Sequence, residues 1–216
     1  MHKTLFIFLS FFILTLGAHQ NFKKKKIFLK VEIKHNEYAA KRVKTLNKLM
    51  NSIVDSALEE KLQKVNNFFN QMQFVSDKLL WGKNDYWATR TEFLEKGAGD
   101  CEDFVIAKYF TLKQLGVPVN KLFFTYVKAI KLKQAHMVLT YYKTPSSVPL
   151  VLDSINPKIL PATLRKDLIP IYSFNGDSLY LAKQQGLGRI VPSGMKKNKK
   201  WLNLIDKIRR EKYDAF

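Results

Sequence analysis

The chain has 216 residues and is 46% apolar, enough for one domain with a sizeable core. A formal charge of +19 raises nucleic acid as a partner. However, only six of the 37 basic residues are arginine, the lysines are spread along the chain, and no zinc-finger, RNP-like or helix-turn-helix pattern occurs, so nucleic acid is set aside. The plainer reading is a lysine-biased chain with some attraction to anionic lipid or cell-wall polymer, and a single cysteine, Cys101, excludes an internal disulfide.

The first segment, residues 1–18, has a basic start (His2, Lys3), an apolar run over 5–16 and the small residues Gly17 and Ala18. That is a secretory signal in pattern, short for a membrane span, with cleavage expected after Gly17 or Ala18. An uncleaved anchor is the alternative, and either way the rest of the chain is expected to be exported. No cysteine follows the small residues, which excludes a lipoprotein. Residues 19–80 form a basic segment, with Lys23 to Lys26 its only run of four, and then a helical lobe. Over 39–80 the apolar residues Val43, Leu46, Met50, Ile53, Val54, Leu58, Leu62, Val65, Phe69 and Met72 recur at three and four. The length predicts two or three helices, with breaks near Asn51-Ser52 or Asn66-Asn67. A turn follows at 81–85, then a short helix over 91–94.

Residues 81–190 carry the chemistry. Gly97-Ala98-Gly99-Asp100-Cys101-Glu102-Asp103-Phe104 reads as a glycine-rich turn feeding a helix, with Cys101 in its first turn. The helix N-terminus favours a thiolate there. The plainer alternative is a small buried cysteine, with Asp100 as N-cap and Asp103 closing a capping box. Gly116-Val117-Pro118 stops this helix. Strands are predicted over 122–130, 136–142 and 150–155, with a hairpin of 172–175 and 178–181 around Gly176-Asp177. The short links suit an antiparallel sheet. Residues 191–216 end in a basic, weakly amphipathic helix from Met195, with Trp201, Leu204, Ile205 and Ile208 on its apolar side.

A nucleophilic thiol requires a base, and the base an orienting group. Of four histidines only His136 sits among expected core strands, and Asp153 ends the next apolar run. Pairing of those strands would bring His136 and Asp153 side by side, facing Cys101. A lone core histidine is the alternative for His136. The three carboxylates Asp100, Glu102 and Asp103 oppose thiolate formation, because like charge raises a thiol's pKa. A hard cation such as calcium would offset them.

The segments DYWATRTEFL, GAGDCEDFVIAKYFTLKQLGVP, TYVKAIKLKQAHMVLTYY and PLVLDSINPKILPATLRKDLIPIYSFN together resemble the bacterial transglutaminase-like cysteine proteinases of the LapG type, over residues 81–181. The resemblance implies an α+β, papain-like fold, here with a helical N-terminal lobe and an antiparallel sheet. It implies Cys101 as nucleophile, His136 as base, Asp153 as orienter and Ca2+ as cofactor. The acidic residues flanking the cysteine, Asp100 and Glu102, would bind the metal, with Asp103 a further candidate. An upstream Trp or Gln assists the oxyanion hole in related folds, which points to Trp87, for which a buried core tryptophan is the alternative. It further implies a periplasmic endopeptidase that cleaves the N-terminal region of a large surface adhesin. An inner-membrane cyclic di-GMP receptor would sequester it and so control biofilm detachment. Acyl transfer to an amine by the same triad, and a binding module that retains the fold without catalysis, remain as alternatives.

Overall fold

A computed structural model describes residues 37–183 and 185–211. The signal-like segment and the Lys23–Lys26 run lie outside the described residues. The predicted helical stretch is three helices: α1 (Glu37–Ile53), α2 (Leu58–Phe69) and α3 (Asp77–Trp81). The first break falls at 54–57. Asn66 and Asn67 lie inside α2 instead of breaking it, because Asn66 is buried and its Nδ2 donates to the Pro157 carbonyl at 3.0 Å.

Between α2 and α3 a two-residue strand, β1 (Gln73–Phe74), pairs in parallel with β2 (Ala98–Gly99). Neither was legible as a strand in the sequence, being too short for a period. Between them α4 (Arg90–Lys96) begins at a capping box: Thr89 accepts from the Glu92 amide, and Glu92 accepts from the Thr89 amide. It stops at Gly97, whose φ of +67° is the left-handed turn that ends such helices. α5 (Cys101–Gln114) follows, with ten consecutive residues from Asp103 to Leu112 buried, so it is a central helix with no solvent stripe.

The remaining chain builds β3 (Leu122–Ala129), β4 (Gln134–Tyr141), β5 (Leu150–Leu152), β6 (Leu160–Pro161), β7 (Leu168–Phe174) and β8 (Leu179–Leu181), then α6 (Lys199–Arg210). All six strands form one antiparallel sheet in the order β6-β5-β4-β3-β7-β8. The third predicted strand ends at Leu152, so Asp153 stands just beyond it. Phe124, Met137, Leu139, Leu152 and Phe174 face α5 and the other helices in one continuous core, which α6 joins through Trp201, Leu204 and Ile208. The other sheet face has a smaller cluster of Val127, Ala129, Val138, Val151 and Leu168. The architecture is α+β, as the sequence predicts. Among the described residues no helix is long and apolar enough to cross a membrane.

Gly99 sets how closely the cysteine turn approaches α4. A Cβ there would lie 2.5 Å from Asp103 Oδ2 and 2.7 Å from Phe93 Cδ2, contacts no side chain sustains. Gly99→Ala is therefore expected to destabilise the fold by roughly 1–3 kcal/mol. Scanning calorimetry should show a melting point lower by several degrees, and an unchanged melt would mean that the turn has room to spare.

Candidate active site

Cys101 opens α5 and is half-buried against β4. β5 pairs β4 only from Leu139 to Tyr141, so the stretch of β4 that contains His136 and Met137 runs past the end of β5. The Met137 amide meets the Cys101 sulfur and favours its thiolate, while the thiol donates to Glu102 Oε2 at 3.1 Å. His136 is 2% exposed, and its Nε2 lies 2.8 Å from Asp153 Oδ1. With Nε2 committed to Asp153, Nδ1 is the ring nitrogen left for proton exchange. The structure thus brings His136 and Asp153 into direct contact, and sets Cys101 against the amide of the residue next to His136.

Asp153 is 1% exposed and strongly held. Its Oδ1 also accepts from the Ile155 amide at 3.0 Å, and its Oδ2 accepts from Arg165 Nη2 at 2.7 Å. Arg165 is itself buried and anchored by Asp167, at 2.9 Å through Nε and 2.7 Å through Nη2. Burial pushes the Asp153 carboxyl up, but the His136, Ile155 and Arg165 partners outweigh it and bring it down to about 2. Arg165 escaped the sequence reading because it lies twelve residues beyond Asp153, in a loop with no period. The signal available was an arginine in a lysine-rich chain, the residue type suited to a buried carboxylate.

The carboxylates around the thiol behave differently. Burial, with Glu102 and Asp77 nearby, pushes the Asp100 carboxyl up to about 8. Burial likewise pushes the Cys101 thiol well above its ordinary value, and Glu102 and Asp100 add to it. The expectation that the helix N-terminus favours a thiolate is therefore not met by protein groups alone. The dipole contributes about 0.3–1 kcal/mol, whereas a unit charge 4 Å away opposes with about 4 kcal/mol at an effective dielectric of 20.

Glu102 and Asp100 do not stand alone. Three overlapping groups, Asp100 with Cys101 and Glu102, Asp77 with Asp100 and Asp103, and Asp77 with Asp85 and Glu102, each bring their ligand atoms within 4.8 Å of one another. Asp100 Oδ1 and Asp77 Oδ1 are both buried without a hydrogen-bond partner among the described residues. Two orphaned carboxylate oxygens in one acidic cluster require a cation or protons. The two groups built on Asp77 are carboxylates only, and oxygen donors are the type calcium takes, so these residues fit that ion. Asp103 also serves the fold: Oδ1 accepts from the Ala88 amide at 2.7 Å and Oδ2 from the Asp100 amide at 3.4 Å, the capping role. Asp77 was missed in the sequence, since it stands 23 residues before Asp100 and reaches the cluster only because β1 pairs with β2. Trp87 is buried with its ring stacked on Phe174 at 6.1 Å, and its Nε1 has no partner among the described residues.

A thiol at a helix start lies against the strand that carries His136, and His136 pairs with the buried Asp153, an arrangement suited to thiol chemistry. The chain belongs to the bacterial transglutaminase-like cysteine proteinase (BTLCP) family, whose model matches residues 29–165. Among solved structures it is similar to Legionella pneumophila LapG, with 42% identity over 81% of this chain and 91% of that one, and a TM-score of 0.71. The calcium-bound form of that protein matches with the same identity and TM-score over 93% of its length, and the EGTA-treated form over 91%. No curated protein matches the chain.

The Asp153 environment has a measurable consequence. Its folded value lies below the ordinary carboxyl value of 3.8, so the stability it contributes is complete above about pH 4 and is lost as pH falls toward 2. The stability gap between wild type and Asp153→Asn is expected to narrow by roughly 2 kcal/mol between pH 5 and pH 2. Urea unfolding at each pH measures it. A gap that does not change with pH would mean that Asp153 is not ionised in the fold.

Proposed function

We propose that this cysteine peptidase is an exported, calcium-dependent endopeptidase that cleaves the N-terminal region of a large surface adhesin. The observation that carries the catalytic part is the 2.8 Å His136–Asp153 pair beside a thiol that opens a buried helix. His136 Nδ1 accepts the Cys101 proton, and the sulfur attacks the scissile carbonyl. The amide of Cys101 at the helix start donates to the developing oxyanion. The imidazolium, stabilised by Asp153, then protonates the leaving amine. Water, deprotonated by His136, hydrolyses the thioester and regenerates the thiol. Asp153 fixes the imidazole tautomer throughout.

Asp100 and Glu102, with Asp77 and Asp85 nearby, would hold the calcium ion. Its charge would offset the carboxylates that otherwise keep the thiol protonated. The 42% identity to a protein described in a calcium-bound form supports this reading, as do the two orphaned oxygens. Family membership supports the adhesin substrate and sequestration by an inner-membrane cyclic di-GMP receptor, and the signal-like residues 1–18 support a periplasmic location.

One assay tests the catalytic and metal readings together, with the recombinant N-terminal region of an adhesin from the same organism as substrate. Cys101→Ala and His136→Ala are expected to abolish cleavage, and Asp153→Asn to lower kcat by about 10²–10⁴. A chelator should stop the wild-type enzyme, and calcium but not magnesium should restore it, because magnesium demands a tighter octahedral shell. Asp100→Ala with Glu102→Ala should remove calcium binding in calorimetry together with activity. Were these carboxylates helix caps only, the double variant would melt lower by about 1 kcal/mol per cap and keep cleaving. Full activity in chelator would remove calcium from the reading, and cleavage by Cys101→Ala would remove the peptidase mechanism.

The location is tested separately. Mass spectrometry of the native protein should give an N-terminus between residues 19 and 22, and an intact Met1 would point to a membrane anchor.

A further inference from the structure

Lys108 is fully buried at 0% exposure, where lysine is almost never found without a counter-ion. Its Nζ donates to a main-chain carbonyl, that of Asp153, at 3.1 Å. Asn70, the residue that caps the C-terminal end of α2, donates its Nδ2 to the same carbonyl at 2.8 Å. The Phe104 ring lies 5.8 Å from the amine, and Asp153 is the charged group whose field acts on it. Burial draws the amine down to about 7, so its place in the core lowers stability relative to an apolar side chain of similar length. Simple packing would be better served there by methionine.

The position of Lys108 suggests what it does. It stands seven residues after Cys101 on α5, two turns along and on the same helix face, about 10 Å down the axis. Its side chain spans from the helix that carries the thiol to the turn that follows β5. On the far side of that turn the Asp153 carboxylate meets His136 and Arg165. Asp153 is thus held at its carbonyl from the helical layer and at its carboxylate from the sheet layer.

We infer that Lys108 is a positioning residue: the Lys108–Asp153 carbonyl bond ties α5 to the turn that aims the His136–Asp153 pair, and so fixes how the imidazole approaches the Cys101 sulfur. The inference rests on the reading that Cys101, His136 and Asp153 act together. Loss of the tie leaves the layers packed but lets the turn shift relative to the thiol. A misplacement of about 1 Å remote from the chemistry lowers rate by up to about 10²-fold.

The test uses the full chain in saturating calcium, with the adhesin fragment as substrate. Three readouts are taken: kcat and KM, the melting temperature, and the low-field proton resonance of the His136 ring N–H facing Asp153. Lys108→Met is expected to melt at or above the wild-type temperature, with kcat lower by about tenfold or more and KM changed by less than about twofold. The His136 resonance should shift or broaden. Lys108→Gln, which keeps a shorter donor, should recover part of kcat; it also decides the question by the same readouts should Lys108→Met not fold. Asn70→Ala combined with Lys108→Met should depart from additivity, since both donors share one acceptor. A Lys108→Met enzyme that melts lower but keeps wild-type kcat and an unmoved His136 resonance would make Lys108 merely structural and overturn the inference. Asp153→Asn in parallel separates the failures: if it is impaired while Lys108→Met is not, only the role of Lys108 falls, and if it retains full kcat, the triad reading falls and the inference with it.

Discussion

A carboxylate that is 1% exposed cannot remain charged unless the protein replaces the water it has lost, and Asp153 is built around that requirement. His136, the Ile155 amide and Arg165 occupy its oxygens. Arg165 in turn needs Asp167, and the Asp153 carbonyl is held by Asn70 and Lys108. Elements from both layers of the fold therefore meet at one residue. β5 ends where it does because Asp153 leaves the ladder to make these bonds. The early end of β5 also leaves His136 and Met137 paired only with β3, with the β5 side of β4 uncovered there, and the Met137 amide meets the Cys101 sulfur.

The thiol sits in the opposite electrostatic situation. Around Asp153 cations and donors outweigh burial, so the charged form is favoured. Around Cys101 burial and carboxylates act in the same direction, so the charged form is opposed. In the proposed mechanism one imidazole, that of His136, serves both environments. A proton leaves the thiol for His136 readily only if the acidic cluster is neutralised, which makes the cluster a control point for the nucleophile in the proposed mechanism. The same carboxylates are also needed by the fold: Asp103 holds the Ala88 and Asp100 amides and packs against Gly99, so one acidic turn serves helix capping and the site together.

Much of this was legible in the chain because it is local. Cys101 after two glycines, the helix it opens, the strands that bear His136 and precede Asp153, and the apolar face of α6 all follow from period, caps and turn residues within about twenty positions. The capping role of Asp103 was legible as well, from its three-residue offset to Asp100. The errors fall where the cause is distant. Asn66 does not break α2, because it is buried and its Nδ2 donates to a carbonyl 91 residues away. The strand before Asp153 stops early, because a side chain twelve residues later captures the carboxylate.

By itself the sequence determined the helix-borne thiol, the candidate base and orienter, the α+β class and the crowding of the thiol by its two neighbours. Those depend on adjacency along the chain, and adjacency does not need a fold. Tertiary structure alone decided that Asp77 joins the acidic cluster, that Arg165 holds Asp153 and that Lys108 is buried beneath it. Each of these is a contact between residues 12 to 45 positions apart. No periodic pattern encodes such contacts, since they arise only when the β1–β2 pair, the α5 packing and the loop after β6 close against one another.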